Sequence, residues 1–67
     1  MQSELQRYLG RTVELIYVDR RGAFTKRTVQ LRSIRDGRVW VFCLERQAPR
    51  TLLIDNVLAV QPVMRVG

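Results

Sequence analysis

Six consecutive apolar residues, Val39-Trp40-Val41-Phe42-Cys43-Leu44, occupy the middle of a chain of 67 residues and include its single tryptophan. Valine and aromatic side chains fit a pleated backbone, and the preceding Asp36-Gly37 pair supplies turn chemistry. The run is therefore read as a central strand, covered on both faces, rather than as a helical segment. Strand alternation places Trp40, Phe42 and Leu44 on one face and Val39, Val41 and Cys43 on the other. Trp40 is expected in the core, and Cys43 as a small buried hydrophobe. A chain this short buries only about 60% of its unfolded surface, so residues 1–67 form one domain with one compact core.

The flanking segments complete an all-β reading. Ser3 with Gln6 matches a capping box, and Gly10 is placed to end a short helix over about residues 3–9 in a left-handed conformation. Leu5 and Leu9 on that helix are expected to lie against a sheet edge or across a barrel end. Val13, Leu15 and Tyr17 alternate along strand one, and Asp19-Arg20-Arg21-Gly22 reads as a hairpin loop. Strand two, from about Phe24 to Ile34, carries Thr25, Arg27, Val29 and Leu31 on one side, and is long enough to bend. Glu45 to Pro49 reads as a polar loop, Thr51 to Ile54 as strand four, Asp55-Asn56 as a single turn, and Val57 to Val63 as strand five, with Pro62 tolerated near its end. The result is a small five-stranded bent barrel of the SH3 or Sm type over about residues 12–63, preceded by a short N-terminal α-helix. Arg65-Val66-Gly67 reads as a frayed end.

Twelve basic residues against six acidic give a net charge of +6 and a pI near 11.1, and eleven of the twelve are arginine. Arginine is the side chain suited to forked phosphate and carboxylate contacts and to stacking on rings. Nucleic acid, an acidic protein face and an anionic ligand are all open as partners. No apolar run approaches the roughly 18 residues of a membrane span. Met1-Gln2-Ser3-Glu4 lacks the basic flank of a secretory signal, and one cysteine forms no internal disulfide, so a cytoplasmic location and no membrane partner are expected. With no histidine and one cysteine there is no zinc-ligand set. The scattered carboxylates offer no acid–base pair, and no glycine-rich phosphate cradle is present. The expectation is a non-enzymatic protein without metal or cofactor.

Ile16-Tyr17-Val18-Asp19, Gly22, Thr25-Lys26-Arg27-Thr28-Val29, Trp40-Val41-Phe42-Cys43, Arg46, Arg50-Thr51 and Ile54-Asp55-Asn56-Val57, in that order and separation, resemble the WYL domain over about Val13 to Val60. The resemblance implies an Sm-like barrel serving as a ligand-sensing module of bacterial transcription regulation and defence, with a basic pocket for nucleic acid or nucleotide-like anions. Tyr17, Arg27, Trp40, Arg46 and Arg50 match the family's characteristic places. Departures are specific. Where the family commonly has Arg-x-Phe-Arg and then Asp-Arg-Ile, this chain has Arg50-Thr51-Leu52-Leu53 and Asp55-Asn56-Val57, which removes two pocket arginines. Leu31 stands in place of a usual proline, so strand two is expected to run further. The residues up to Gly10 do not hold two helices and a turn, so duplex reading by a helix-turn-helix is not expected of them.

The candidate anion-binding residues are therefore Tyr17, Arg27, Arg46 and Arg50. Arg27 either enters a pocket or snorkels at the barrel rim. Arg46 and Arg50 flank the loop containing Pro49, as two forks for one anion or as solvated loop residues. Arg20 and Arg21 at the first hairpin, with Arg32, Arg35 and Arg38 near the next turn, are candidates for contacts along a nucleic-acid backbone, or ordinary solubilising charges. The partner expected is single-stranded nucleic acid, ahead of duplex, or a nucleotide-like ligand. The competing reading is an Sm-like module that self-associates or docks a protein through exposed strand edges.

Overall fold

Alternation of apolar side chains along Thr12–Val18 sets the first strand, β1, with Val13, Leu15 and Tyr17 all buried. The structure, a computed structural model, describes residues 1–63. The element order is α1 (Gln2–Arg7), β1, β2 (Phe24–Arg35), β3 (Arg38–Cys43), β4 (Ala48–Leu53), a single 3-10 turn (Ile54–Asn56) and β5 (Val57–Pro62). The strands form one antiparallel sheet in the order β4-β3-β2-β1-β5, curled into a small all-β barrel-like fold with the helix at its start. The reading of Arg65-Val66-Gly67 lies outside the described residues.

Curvature comes from two interruptions of register. On β2, Leu31 opposes Val41 while Ser33 opposes Trp40, so Arg32 is an extra residue that bends the strand. The shift turns Ile34 inward, opposite buried Val39. On β1, Ile16 opposes Ala59 and Tyr17 opposes Val57, which leaves Leu58 as the extra residue of β5, half-exposed. The long second strand is as expected, and it bends at Arg32.

The core is aliphatic: Leu5, Val13, Leu15, Val29, Leu31, Val39, Val41 and Cys43 are almost wholly enclosed, with Tyr17, Ile54 and Val57. Trp40 is not among them. The face of β3 that turns inward is Val39-Val41-Cys43, and Trp40 and Phe42 stand half-buried on the outer face. A small barrel packs compact β-branched residues at its centre more closely than an indole, so the tryptophan is displaced outward. Cys43 is buried and unpaired.

Three further expectations are corrected. Position Met1 caps α1 with no side-chain hydrogen bond, so the Ser3 capping box does not form. Leu9 is 40% exposed, and Tyr8 takes its place against the core beside Leu5. The cause is Gly10, at φ +82°: its N–H donates to the Leu31 carbonyl (2.8 Å) and the Leu31 N–H donates to the Arg11 carbonyl (3.0 Å), which sets the angle at which the helix meets β2. Finally, β4 starts at Ala48 and includes Pro49, because an edge strand bonded only to β3 tolerates a residue without an N–H. The turn between β3 and β4 is accordingly shorter, residues 44–47, closed by Gln47 at φ +52°.

Candidate functional site

The register of β1 and β2 dictates which polar groups share the inner face with the core. Tyr17 opposes Thr25 and Leu15 opposes Arg27, so Thr25 and Arg27 continue the row of buried Val29 and Leu31 toward the hairpin end of the barrel. On β4, Arg50 opposes buried Val41 and Leu52 opposes buried Val39, which puts Arg50 on the inner face as well. Between the β1–β2 hairpin and β4 lies a hollow of about 790 Å³. Tyr17, Arg27, Arg46 and Arg50 all line it, and so do Arg20, Arg21 and Arg38. Six arginines thus line one concavity, with Arg38 at its edge on the same side of the sheet as its cross-strand partner Arg35, while Arg32 and Arg35 border a separate groove on the outer face.

Each arginine is positioned by local structure. Asp19 organises the hairpin: its Oδ1 accepts the N–H groups of Arg21 (2.8 Å) and Ala23 (3.0 Å), and its backbone pairs with Ala23 and Gly22. Gly22, at φ +78°, closes the loop. The Ala23 N–H is the main cause holding the Asp19 carboxyl below its usual value; desolvation opposes it, and the Arg21 N–H and charge and the Thr25 hydroxyl add to it. Asp19 is therefore an ionised turn residue that presents Arg20 and Arg21, rather than a free acid competing for ligand.

Arg27 is the most enclosed of the site arginines for which exposure decides the role, its side chain 27% accessible. Its Nη1 lies 3.5 Å from Glu45 Oε2, and Glu45 Oε1 accepts the Thr28 N–H at 3.5 Å. The neighbouring Tyr17 hydroxyl, against the opposing effect of desolvation and with help from Glu45, raises the Arg27 pKa further. Its charge does not titrate in any ordinary buffer. Tyr17 itself is 5% exposed, so its ring is a wall of the core and only its polar end serves the hollow. It does not provide a stacking face.

Arg50, expected to flank the loop containing Pro49, is held within β4 together with Pro49, opposite buried Val41 on the inner face. Arg46 belongs to the β3–β4 turn. Arg38 begins β3, opposite Leu53 of β4 and opposite Arg35 of β2. Thr25 and Asn56 also line the hollow and were not singled out from sequence, although the Thr25-x-Arg27 alternation carries the signal for the first. The only lysine pairs with Glu14 on the outer face, at 3.5 Å, away from this site.

The outer face of β2 and β3 carries a second arrangement. The Arg32 guanidinium stands over the Phe42 ring at 5.4 Å, and that of Arg35 over the Trp40 ring at 5.8 Å, within cation–π range. With Ser33 and Pro49 they border a shallow groove of about 490 Å³. Arg32 and Arg35, expected at a charged turn, are separated from the hollow: Arg32 alternates outward after buried Leu31, and the bulge there puts Arg35 on the outer face as well.

Among the described residues, no three His, Cys, Asp or Glu side chains gather as a metal site, and no helix is long and apolar enough to cross a membrane. Comparison with protein-family models, with curated proteins and with solved structures returns no match.

Proposed function

We propose that this chain is a non-enzymatic, WYL-type ligand-sensing module of transcription regulation that binds single-stranded nucleic acid or a nucleotide-like anion in the arginine hollow. The observation that carries the reading is convergence: Arg20, Arg21, Arg27, Arg38, Arg46 and Arg50 line one concavity in which the single lining carboxylate, Asp19, is occupied by backbone N–H groups. Six like charges facing one another repel across the hollow unless an anion sits between them. Arg27 and Arg50 project from strands and so hold their direction, and the hairpin and turn arginines add reach. Two arginines of the usual family pattern are replaced by Leu53 and Asn56, and Arg38 and Arg20 supply charge from other elements.

Titration of a fluorescent single-stranded oligonucleotide at low and physiological salt tests this. Each phosphate neutralised contributes about −0.7 to the slope of log K against log salt, so six contacts give a slope near about −4. Arg50→Ala, at an exposed strand position, should weaken binding roughly tenfold while leaving the fold intact. No binding at low salt, or unchanged affinity after Arg50→Ala, removes the proposal.

A second reading, self-association, draws on the unpaired outer edges of β4 and β5, where Leu53 and Leu58 are about half-exposed. Light scattering over a concentration series separates the two, since a monomer at every concentration leaves these edges unused.

A further inference from the structure

Arg35 and Arg38 oppose each other directly across the β2–β3 hairpin, Cα partner to Cα partner. Like charges in that relation destabilise a sheet, and among the described residues neither takes part in an ion pair. Each belongs to a different feature: Arg38 lines the arginine hollow, and Arg35 borders the outer groove with Trp40. The pair is the point at which the two basic surfaces meet.

The outer groove has the composition of a base-stacking platform. Trp40 and Phe42 lie one above the other on the outer face of β3, two residues apart, and each ring is half-buried beneath an arginine. Thr51 opposes Trp40 and Pro49 opposes Phe42, so the neighbouring strand adds no charge of either sign. A guanidinium stacked on a ring can swing aside to a phosphate while a base takes the vacated face, which exchanges one cation–π contact for a stacking contact plus an ion pair. This groove and the hollow share no lining residue, so a ligand confined to the hollow does not lie on the rings.

Resting on the reading of the hollow as an anion site, we infer that the ligand is a nucleic-acid strand several nucleotides long, which leaves the hollow past Arg38 and Arg35 and lays its bases on Trp40 and Phe42. The path turns around the β2–β3 hairpin of a molecule whose smaller dimensions are 23 and 20 Å. Barrels of comparable size cover roughly 4 to 16 nucleotides. The phosphates follow the arginines and the bases meet the rings, so the site favours no particular sequence.

Trp40 is the only tryptophan, so its fluorescence reports the outer face alone. The full chain is titrated with adenosine monophosphate and with single-stranded thymidine oligomers from about 2 to about 12 nucleotides, a range chosen to bracket the expected site size. Binding is followed in parallel by anisotropy of labelled oligomers. The expected result is Trp40 quenching by the longer oligomers only, with affinity that rises over the same lengths. Arg35→Gln should remove most of that quenching and make the salt slope for the longest oligomer shallower by about 0.7. Arg50-dependent binding with no Trp40 response and no dependence on length overturns the extended path and leaves the hollow reading standing. Quenching that persists at full affinity in Arg50→Ala overturns the continuous path, because the outer face then binds by itself. Absence of any Arg50-dependent binding removes both.

Discussion

Glu45 reaches Arg27 with one carboxylate oxygen and the backbone of β2 with the other: Oε2 lies 3.5 Å from the Arg27 guanidinium, and Oε1 accepts the Thr28 N–H one residue along the same strand. The turn between β3 and β4 is thereby tied to β2, since the Leu44 N–H also donates to the Thr28 carbonyl. Glu45 is at once a brace for the turn and the intramolecular competitor for the best-enclosed arginine of the hollow.

Removing that competitor should therefore strengthen anion binding. Glu45→Gln keeps an acceptor for the Thr28 N–H and frees the Arg27 guanidinium, so affinity for an oligonucleotide at low salt should rise by roughly two- to fivefold, the range of an exposed ion pair. Anisotropy titration reads this. Weaker binding by the variant would mean that Glu45 aims Arg27 rather than competing with ligand.

Leu5 is the one buried side chain of α1. Leu5 is fully enclosed, whereas Leu9 is 40% exposed. Leu5→Ala should cost about 2 to 5 kcal/mol through lost burial and the cavity it leaves. Leu9→Ala should stay within about 0.5 kcal/mol. Urea denaturation of the two variants compares them directly, and equal losses would mean that both leucines seat the helix.

Asp19 links the hairpin to pH. The Ala23 N–H and the other donors around it lower its pKa from the ordinary 3.8 in the folded state. A depressed carboxyl contributes stability that is complete above the unfolded value and is lost as pH falls through the folded one. The thermal midpoint should thus decline as the solution is acidified below about pH 4. Asp19→Asn should lower the midpoint at neutral pH and flatten this acid limb, both measured by thermal melts across pH.

Asp36 and Gly37 adopt φ values of +53° and +73° at the β2–β3 turn, the left-handed pair of a tight hairpin. A Cβ on Gly37 would meet nothing within 4 Å, so any cost of Gly37→Ala is purely conformational. It should be about 1 to 2 kcal/mol, from the left-handed backbone alone. Since this turn brings Arg35 opposite Arg38, the same variant should also weaken Trp40 quenching by long oligomers.

The strands, their alternation and the turns at Asp19–Gly22 and Asp36-Gly37 were legible in the residues because each depends on near neighbours. Period-two patterning selects a face, and φ-permissive residues mark a reversal. Where the order of events depends on distant partners, local reading fails. The Ser3 capping box does not form because the helix starts at Gln2, with Met1 as its cap and Ser3 inside it, and the Glu45–Pro49 loop is shortened because β4 finds a partner in β3.

The aromatic residues make the same point more sharply. Alternation alone separates Trp40 and Phe42 from Val39, Val41 and Cys43, but it does not say which set faces inward. That choice belongs to the closed volume, which accepts the small residues and Tyr17 and leaves the indole outside beneath Arg35. Charge followed the same division. The abundance of arginine is a property of composition, and its attraction for polyanions follows from that alone. Which arginines share a surface is a matter of register and of one bulge: Arg27 and Arg50 line the same hollow because each opposes a buried residue on its neighbouring strand, Arg32 alternates away from that face, and the inserted residue carries Arg35 outward too. Side-chain period is local and is written along the chain, whereas the direction in which a sheet curls depends on packing among residues far apart in sequence.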